Sequence, residues 1–235
     1  MTLKAILFDF NGVIIDDEII HEKLIDEIIL GENLRPEPSE YKELCQGKSD
    51  RACLKDILAY RGRVVTDDYI NQLIQAKSQA YQQELAKLEK LPIYSGIKEF
   101  LEVVKERELL LGIVSGALRT EIELVLQKAG IADYFSVIVA GDDLEASKPQ
   151  PSGYLLAIAK FNQSFPELNL QPSQCLAIED TPVGIEAAKQ AGIQVVGIAN
   201  TYPLHMLQRQ ADWTVDYLTE IELDRVKRVF EASSV

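Results

Sequence analysis

Asp9 directly follows the apolar run of residues 5–8, and Ser115, Glu179 and Asp180 stand in the same relation to two later runs. Lys148 lies between these in a Ser-Lys-Pro segment that precedes a helical pattern. In an open parallel sheet the carboxyl ends of the strands share one edge, and ligands bind there. A carboxylate, a hydroxyl, an ammonium and an acidic pair would then meet. Clustered carboxylates are costly unless a cation neutralises them, and an all-oxygen set suits Mg2+. Lys148, Ser115 and backbone N–H groups would hold the peripheral oxygens of a phosphoryl group, with the metal neutralising more of its charge. Asp9 would attack phosphorus and become a transient aspartyl phosphate. Taken alone, Asp9 reads as no more than a cap; the three later segments carry the argument.

The elements that must position these residues follow from periodicity. Asn11-Gly12 favours a tight turn after Asp9. From residue 16 the pattern turns helical, with Ile19, Ile20, Leu24, Ile25, Ile28 and Ile29 at helix spacing. Pro36 and Pro38 interrupt it, residues 39–45 and 49–60 read as two helices each opened by a Ser, and residues 69–88 as a long one. No convincing strand appears between residues 16 and 91. From Pro92 helices and strands alternate. Ser95 is expected to cap the next helix, and strands are expected at 109–114, 137–140, 175–178 and 193–198, with a short last one at 213–215. Alternation of this kind means a parallel sheet with helices on both faces. The fold class is therefore α/β, a Rossmann-like parallel core with an inserted all-helical cap. The core takes residues 1–15 and 92–235, and the cap residues 16–91.

The chain has 235 residues, 47% of them hydrophobic and 26% charged, as in ordinary globular proteins. No apolar run approaches the ~20 residues that span a bilayer, and no signal peptide is expected. The net charge of -13 disfavours nucleic acid and anionic membranes. It leaves room for an anionic small substrate, because a local field can oppose the global charge. Cys45, Cys53 and Cys175 form no CxxC pair, so reduced, mostly buried thiols in a cytoplasmic protein are expected.

Four segments together resemble the haloacid dehalogenase superfamily, in the branch of β-phosphoglucomutase and small sugar-phosphate phosphatases. They are DFNGVIIDDE, IVSGA, SKPQP and IEDTPVGI, in the family's order along essentially the full length. The resemblance implies Asp9 as nucleophile, Ser115 as phosphate-binding hydroxyl, Lys148 as charge-balancing lysine, and Glu179 and Asp180 as magnesium-binding acids. It also implies a helical cap after the first motif. His21, Gly47-Lys48-Ser49 with Arg51, and Lys77 with Tyr81 look like the branch's substrate-facing features, and Gly116 falls beside the phosphate-binding serine.

Two departures matter. Asn11 stands where family phosphatases carry the aspartate that protonates the leaving group and then activates water. An amide does neither, though it can hydrogen-bond and its backbone carbonyl can still ligate the metal beside Asp9. After Ser115 the chain has Gly116-Ala117-Leu118-Arg119 in place of polar sugar-contacting residues, which favours plain hydrolysis over a mutase. The expectation is a slow Mg2+-dependent phosphatase of a small phosphorylated metabolite, as a monomer or weak homodimer. A phosphosugar mutase and a non-catalytic phosphometabolite-binding protein remain alternatives. A dehalogenase needs no metal, so the Glu179-Asp180 pair argues against it.

Overall fold

The structure, a computed structural model, describes residues 2–232. Its sheet order follows from which runs are apolar on both faces. β1 (Ala5–Phe8) is buried throughout. After it come α1 (Glu18–Gly31), α2 (Glu40–Leu44), α3 (Asp50–Tyr60), α4 (Asp67–Lys87) and α5 (Ile97–Glu106) before β2 (Leu110–Val114). The chain continues through α6 (Arg119–Ala129), β3 (Val137–Val139), α7 (Ser152–Ser164), β4 (Cys175–Glu179), α8 (Pro182–Gln190) and β5 (Gln194–Ile198). α9 (Leu204–Leu207), β6 (Trp213–Val215) and α10 (Leu223–Ala232) complete it. The six strands form one parallel sheet in the order β3-β2-β1-β4-β5-β6.

Alternate side chains of β1 feed two cores, as a two-residue period requires. Ile6 and Phe8 pack with Phe100, Val125 and Phe230 from α5, α6 and α10. Ala5 and Leu7 pack with Tyr154, Phe161 and Ile185 from α7 and α8. Both faces are covered, so β4 can be the unbroken buried run CLAIE. The chain leaves β1 towards β2 on one side and returns to β4 on the other. β1 and β4 therefore flank the point where strand order reverses, the usual ligand crevice of such sheets.

α1–α4 contribute no strand and build a separate core from Ile25, Ile29, Leu54, Ile57, Ile70 and Ile74. The two connections to the sheet run together: Ile15 bridges Ile93, and Asp16 N–H donates to the Pro92 carbonyl at 2.8 Å.

Two expectations need correction. Cys45 and Cys53 are joined by a disulfide, whereas Cys175 is a free, buried thiol. α2 ends at Leu44, the chain reverses at Gly47 with φ +78°, and α3 starts at Asp50, which brings the two Cα atoms to 4.3 Å. That reversal, not the sequence spacing, decides the pairing. Nor does Ser95 cap α5. The residue before the helix is Gly96, at φ +83°, and a Cβ there would also meet Thr219 at 2.8 Å.

Gly112 sits mid-strand where a Cβ would lie 2.9 Å from Leu7 and 3.0 Å from Phe161. Gly112→Val should therefore destabilise the fold by about 1–3 kcal/mol, read as a lower urea midpoint with an unchanged slope. An unchanged midpoint would mean this interface has slack.

Candidate active site

Register fixes the heights of the reactive groups. Phe8 pairs with Ile178 on one side and Ile113 on the other, so Asp9 and Glu179 lie level at the sheet edge. Asp9 N–H donates to the Ile178 carbonyl at 2.9 Å. Asp9 Oδ1 accepts from Phe10 N–H at 2.8 Å and pairs with Lys148 Nζ at 2.9 Å. The same ammonium donates to Glu179 Oε1 at 2.7 Å, and Tyr154 O–H donates to that oxygen too. All of these side chains are buried. Burial works against the charge on Lys148, but Asp9 and Glu179 hold its ammonium above the ordinary lysine range.

One ammonium does not balance this group. Asp9, Glu179 and Asp180 offer oxygens that all lie within 4.8 Å of one another. Oε2 of Glu179 and both oxygens of Asp180 are buried without a well-formed hydrogen bond. Burial and the Asp9 charge push Glu179 up to about 8, although Lys148 and Tyr154 pull the other way. Burial, Asp9 and Glu179 push Asp180 well above the carboxylate range. Oxygens desolvated this far and left unpartnered fit a hard divalent cation. Glycines keep the space tight: a Cβ at Gly12, itself at φ +77°, would fall 1.9 Å from Asp180 Oδ2, and one at Gly184 would fall 1.9 Å from Glu179 Oε2. Asn200 Nδ2 donates to the Gly12 carbonyl at 2.7 Å and steadies the turn.

The hydroxyl side lies beside β2. Ser115 is buried and its Oγ accepts from Ala117 N–H at 3.0 Å. It shares a small cavity with Gly116 and Lys148. The loop between α2 and α3 is seated directly on this edge. Ser49 N–H donates to Ser147 Oγ at 2.7 Å, and a Cβ on Gly116 would lie 2.9 Å from the Lys48 carbonyl.

The third wall comes from α1 and α4, and it explains Asn11. Asn11 Nδ2 lies 3.0 Å from both oxygens of Asp17. Tyr81 O–H donates to Asp17 Oδ2, and His21 Nε2 lies 3.3 Å from it. His21 Nδ1 is 2.8 Å from Lys77 Nζ, which pairs with Asp50 at 2.7 Å. An ammonium beside Nδ1 makes that nitrogen the acceptor and Nε2 the N–H, an assignment from the network. Three donors thus converge on Asp17. Burial would raise its pKa, but His21, Tyr81 and Asn11 hold it below the ordinary aspartate value. For His21, burial and Lys77 work against the proton, and Asp17 prevails, so its pKa is raised.

His21 and Gly116 line the cleft with Asp9 and Asn11. Lys77 is enclosed one layer behind. Arg51 turns away, to Asn71 and to Asp67 at 3.6 Å. Its neighbour Asp50 faces the cleft, as do Tyr41 and Glu18, the last residue of the first motif, and the motifs assign a role to none of the three. Asp50 follows a helix-capping Ser49, whose Oγ accepts from Ala52 N–H. Where a capped helix begins beside a substrate loop, its first residue is the one to test, and that signal was present.

The model of haloacid dehalogenase-like hydrolases matches residues 6–198, from β1 to the end of β5. The chain belongs to that family. It is 28% identical over 228 residues to β-phosphoglucomutase of Bacillus subtilis, covering 93% of this chain and 95% of the other. It is 28% identical over 221 residues to validoxylamine A 7′-phosphate phosphatase of Streptomyces hygroscopicus, with the same coverage. The crystal structure of β-phosphoglucomutase from Clostridium difficile superposes with a TM-score of 0.84 over 98% of each chain at 22% identity. The hydrolase family, with phosphatases among its matched relatives, makes the chain a phosphohydrolase.

Adding Mg2+ at 100 times its dissociation constant should stabilise the protein by about 2.7 kcal/mol, seen as a rise in Tm. Asp180→Asn should remove most of that rise while leaving the metal-free protein at least as stable as wild type. A full Mg2+ effect in Asp180→Asn would show that the cation binds elsewhere.

Proposed function

We propose that the protein is a Mg2+-dependent phosphatase of a small phosphorylated metabolite, working through an aspartyl phosphate on Asp9. The observation that carries this is the pairing of Asp9 and Glu179 on one lysine, beside an acidic pair short of a cation. Oδ1 of Asp9 is engaged by Phe10 and Lys148, which leaves Oδ2 as the attacking atom. Lys148, Ser115 and the Gly116 backbone are the groups to hold the peripheral phosphoryl oxygens. Asp9, Glu179, Asp180 and the Asn11 backbone would hold Mg2+, which supplies neutralisation of the phosphoryl charge when bound. Residues 16–91 act as a cap that closes over the core and excludes water, with His21 and Lys77 on its inner side. The paired connections near Ile15 and Ile93 are the place for a hinge.

Proton transfer, in the displacement by Asp9 and again in hydrolysis of the aspartyl phosphate, is where this chain is slow. The leaving alkoxide needs a proton, and breakdown of the aspartyl phosphate needs an activated water. The Asn11 amide supplies neither and is tied to Asp17. Positioned acid–base catalysis is typically worth ~10²–10⁴-fold. That tie also favours a second reading, a protein that binds phosphometabolites without turnover. The residues after Ser115 lend no support to a mutase.

The test is a screen of phosphorylated metabolites with and without Mg2+, measuring released phosphate. Asp9→Ala should abolish release and retain the native circular dichroism spectrum. Release near the wild-type level would mean that another group attacks.

Asn11→Asp probes the missing acid. A carboxylate at that position would lie about 3 Å from Asp17, and like charges so close cannot both ionise. The single variant should gain little. Adding Asp17→Asn restores a donor facing the new carboxylate, and the double variant should exceed wild type on alkyl phosphates by up to about 10²-fold or more. Equal rates for the single and double variants would show that Asp17 does not restrain residue 11.

A further inference from the structure

The cap wall of the cleft is acidic, and one of its acceptors is empty. Asp50 lines the cleft and spends Oδ1 on Lys77. Its Oδ2 is buried with no hydrogen-bond partner. Glu18 lines the same cleft, with Oε2 taking the Tyr41 hydroxyl at 2.8 Å, and burial raises its pKa. Glu121 of α6 adds a further buried carboxyl near Asp50, close to Ser78 and Lys77. The cations nearby are already engaged. Lys48 is bonded to Asp56 at 2.8 Å, Arg51 points to Asp67 and Asn71, and Lys77 is enclosed between Asp50 and His21 with no side-chain exposure. Among the described residues lining the cleft, the cap-wall lysine Lys48 is already paired, in a partly exposed contact with Asp56.

Resting on the phosphatase reading above, we propose that Asp50, with Glu18, selects phosphate monoesters whose distal end carries O–H or N–H donors, and rejects those ending in a carboxylate or second phosphate. A buried acceptor without a donor costs free energy, and a substrate hydroxyl or ammonium relieves that cost. A distal anion would be desolvated against Asp50 and Glu18, and like-charge juxtaposition of this kind is strongly unfavourable. The core half of the site takes the phosphoryl group. The cap half reads the other end of the molecule by its donors. The Cys45–Cys53 bridge encloses the loop through Gly47 to Asp50 and fixes where that reading residue stands.

The test compares glucose 6-phosphate and glucosamine 6-phosphate with phosphoglycolate and fructose 1,6-bisphosphate. Binding is measured by calorimetry on full-length Asp9→Asn with Mg2+, and kcat/KM on the wild-type protein. Each donor-ended monoester should bind about tenfold or more tighter than either anion-ended compound. Asp50→Asn should narrow that gap, with the change in KM and kcat nearly unmoved; Glu18→Gln should narrow it too and serves if Asp50→Asn fails to fold. The proposal is overturned if phosphoglycolate or the bisphosphate binds as tightly as the sugar monophosphates. It is also overturned if neither monophosphate binds, or if both variants keep the full wild-type gap. Binding in the expected order without turnover would refute the phosphatase reading and leave this one standing. Turnover with the order reversed would do the opposite.

Discussion

Lys148 is the residue on which the site depends. Its ammonium lies between Asp9 and Glu179, at 2.9 and 2.7 Å, in a region with almost no solvent. Removing one partner of a buried pair leaves the other charge uncompensated, and that is more costly than the pair is worth. β1 and β4 must therefore end level, and the segment before α7 must reach across to them. The sheet order, with β1 beside β4, satisfies the first demand. Lys148 still answers only part of the negative charge. The orphaned oxygens of Glu179 and Asp180 leave a deficit that a divalent cation would meet, so the fold holds a site unfinished without one.

The α1–α4 segment is fitted to the sheet edge through contacts with almost no tolerance. Gly116 touches the backbone of Lys48 and Ser49, and Gly47 lies where a Cβ would come 2.6 Å from Val183. Side chains at these positions would hold the two halves apart. Close seating has an electrostatic consequence: charges on the cap wall act on a bound molecule through little intervening water, where they are strongest. The sign of Asp50 and Glu18 matters for that reason.

Periodicity made the sheet and the helical segment legible. Apolar runs end on polar residues at Asp9, Ser115 and Glu179, and all three reach one edge. Lys148 was legible through its motif. What depended on tertiary packing was hidden. The bridge between Cys45 and Cys53 follows from a reversal at Gly47. Arg51 and Asp50 are adjacent, and only the phase of α3 decides which faces the cleft. Lys77 looks substrate-facing by its resemblance, yet its side chain is fully buried between His21 and Asp50. Gly96, not Ser95, precedes α5, because a left-handed turn was needed there.

Asn11 gains its meaning from Asp17, a residue near the end of the first motif to which the motif itself assigns no role. Read along the chain, it is an aspartate lost. Read in space, it is the donor that a buried carboxylate requires. Asp17 receives Asn11, His21 and Tyr81, from the core loop and from two cap helices. With aspartate at position 11, that convergence would set two carboxylates against each other in a dry site. With asparagine it is a satisfied network joining the loop after β1 to α1 and α4. The amide and the carboxylate six residues later are thus two halves of one solution. Changing residue 11 alone disturbs how the cap is held as well as the chemistry, and the separate roles emerge only when both positions change together.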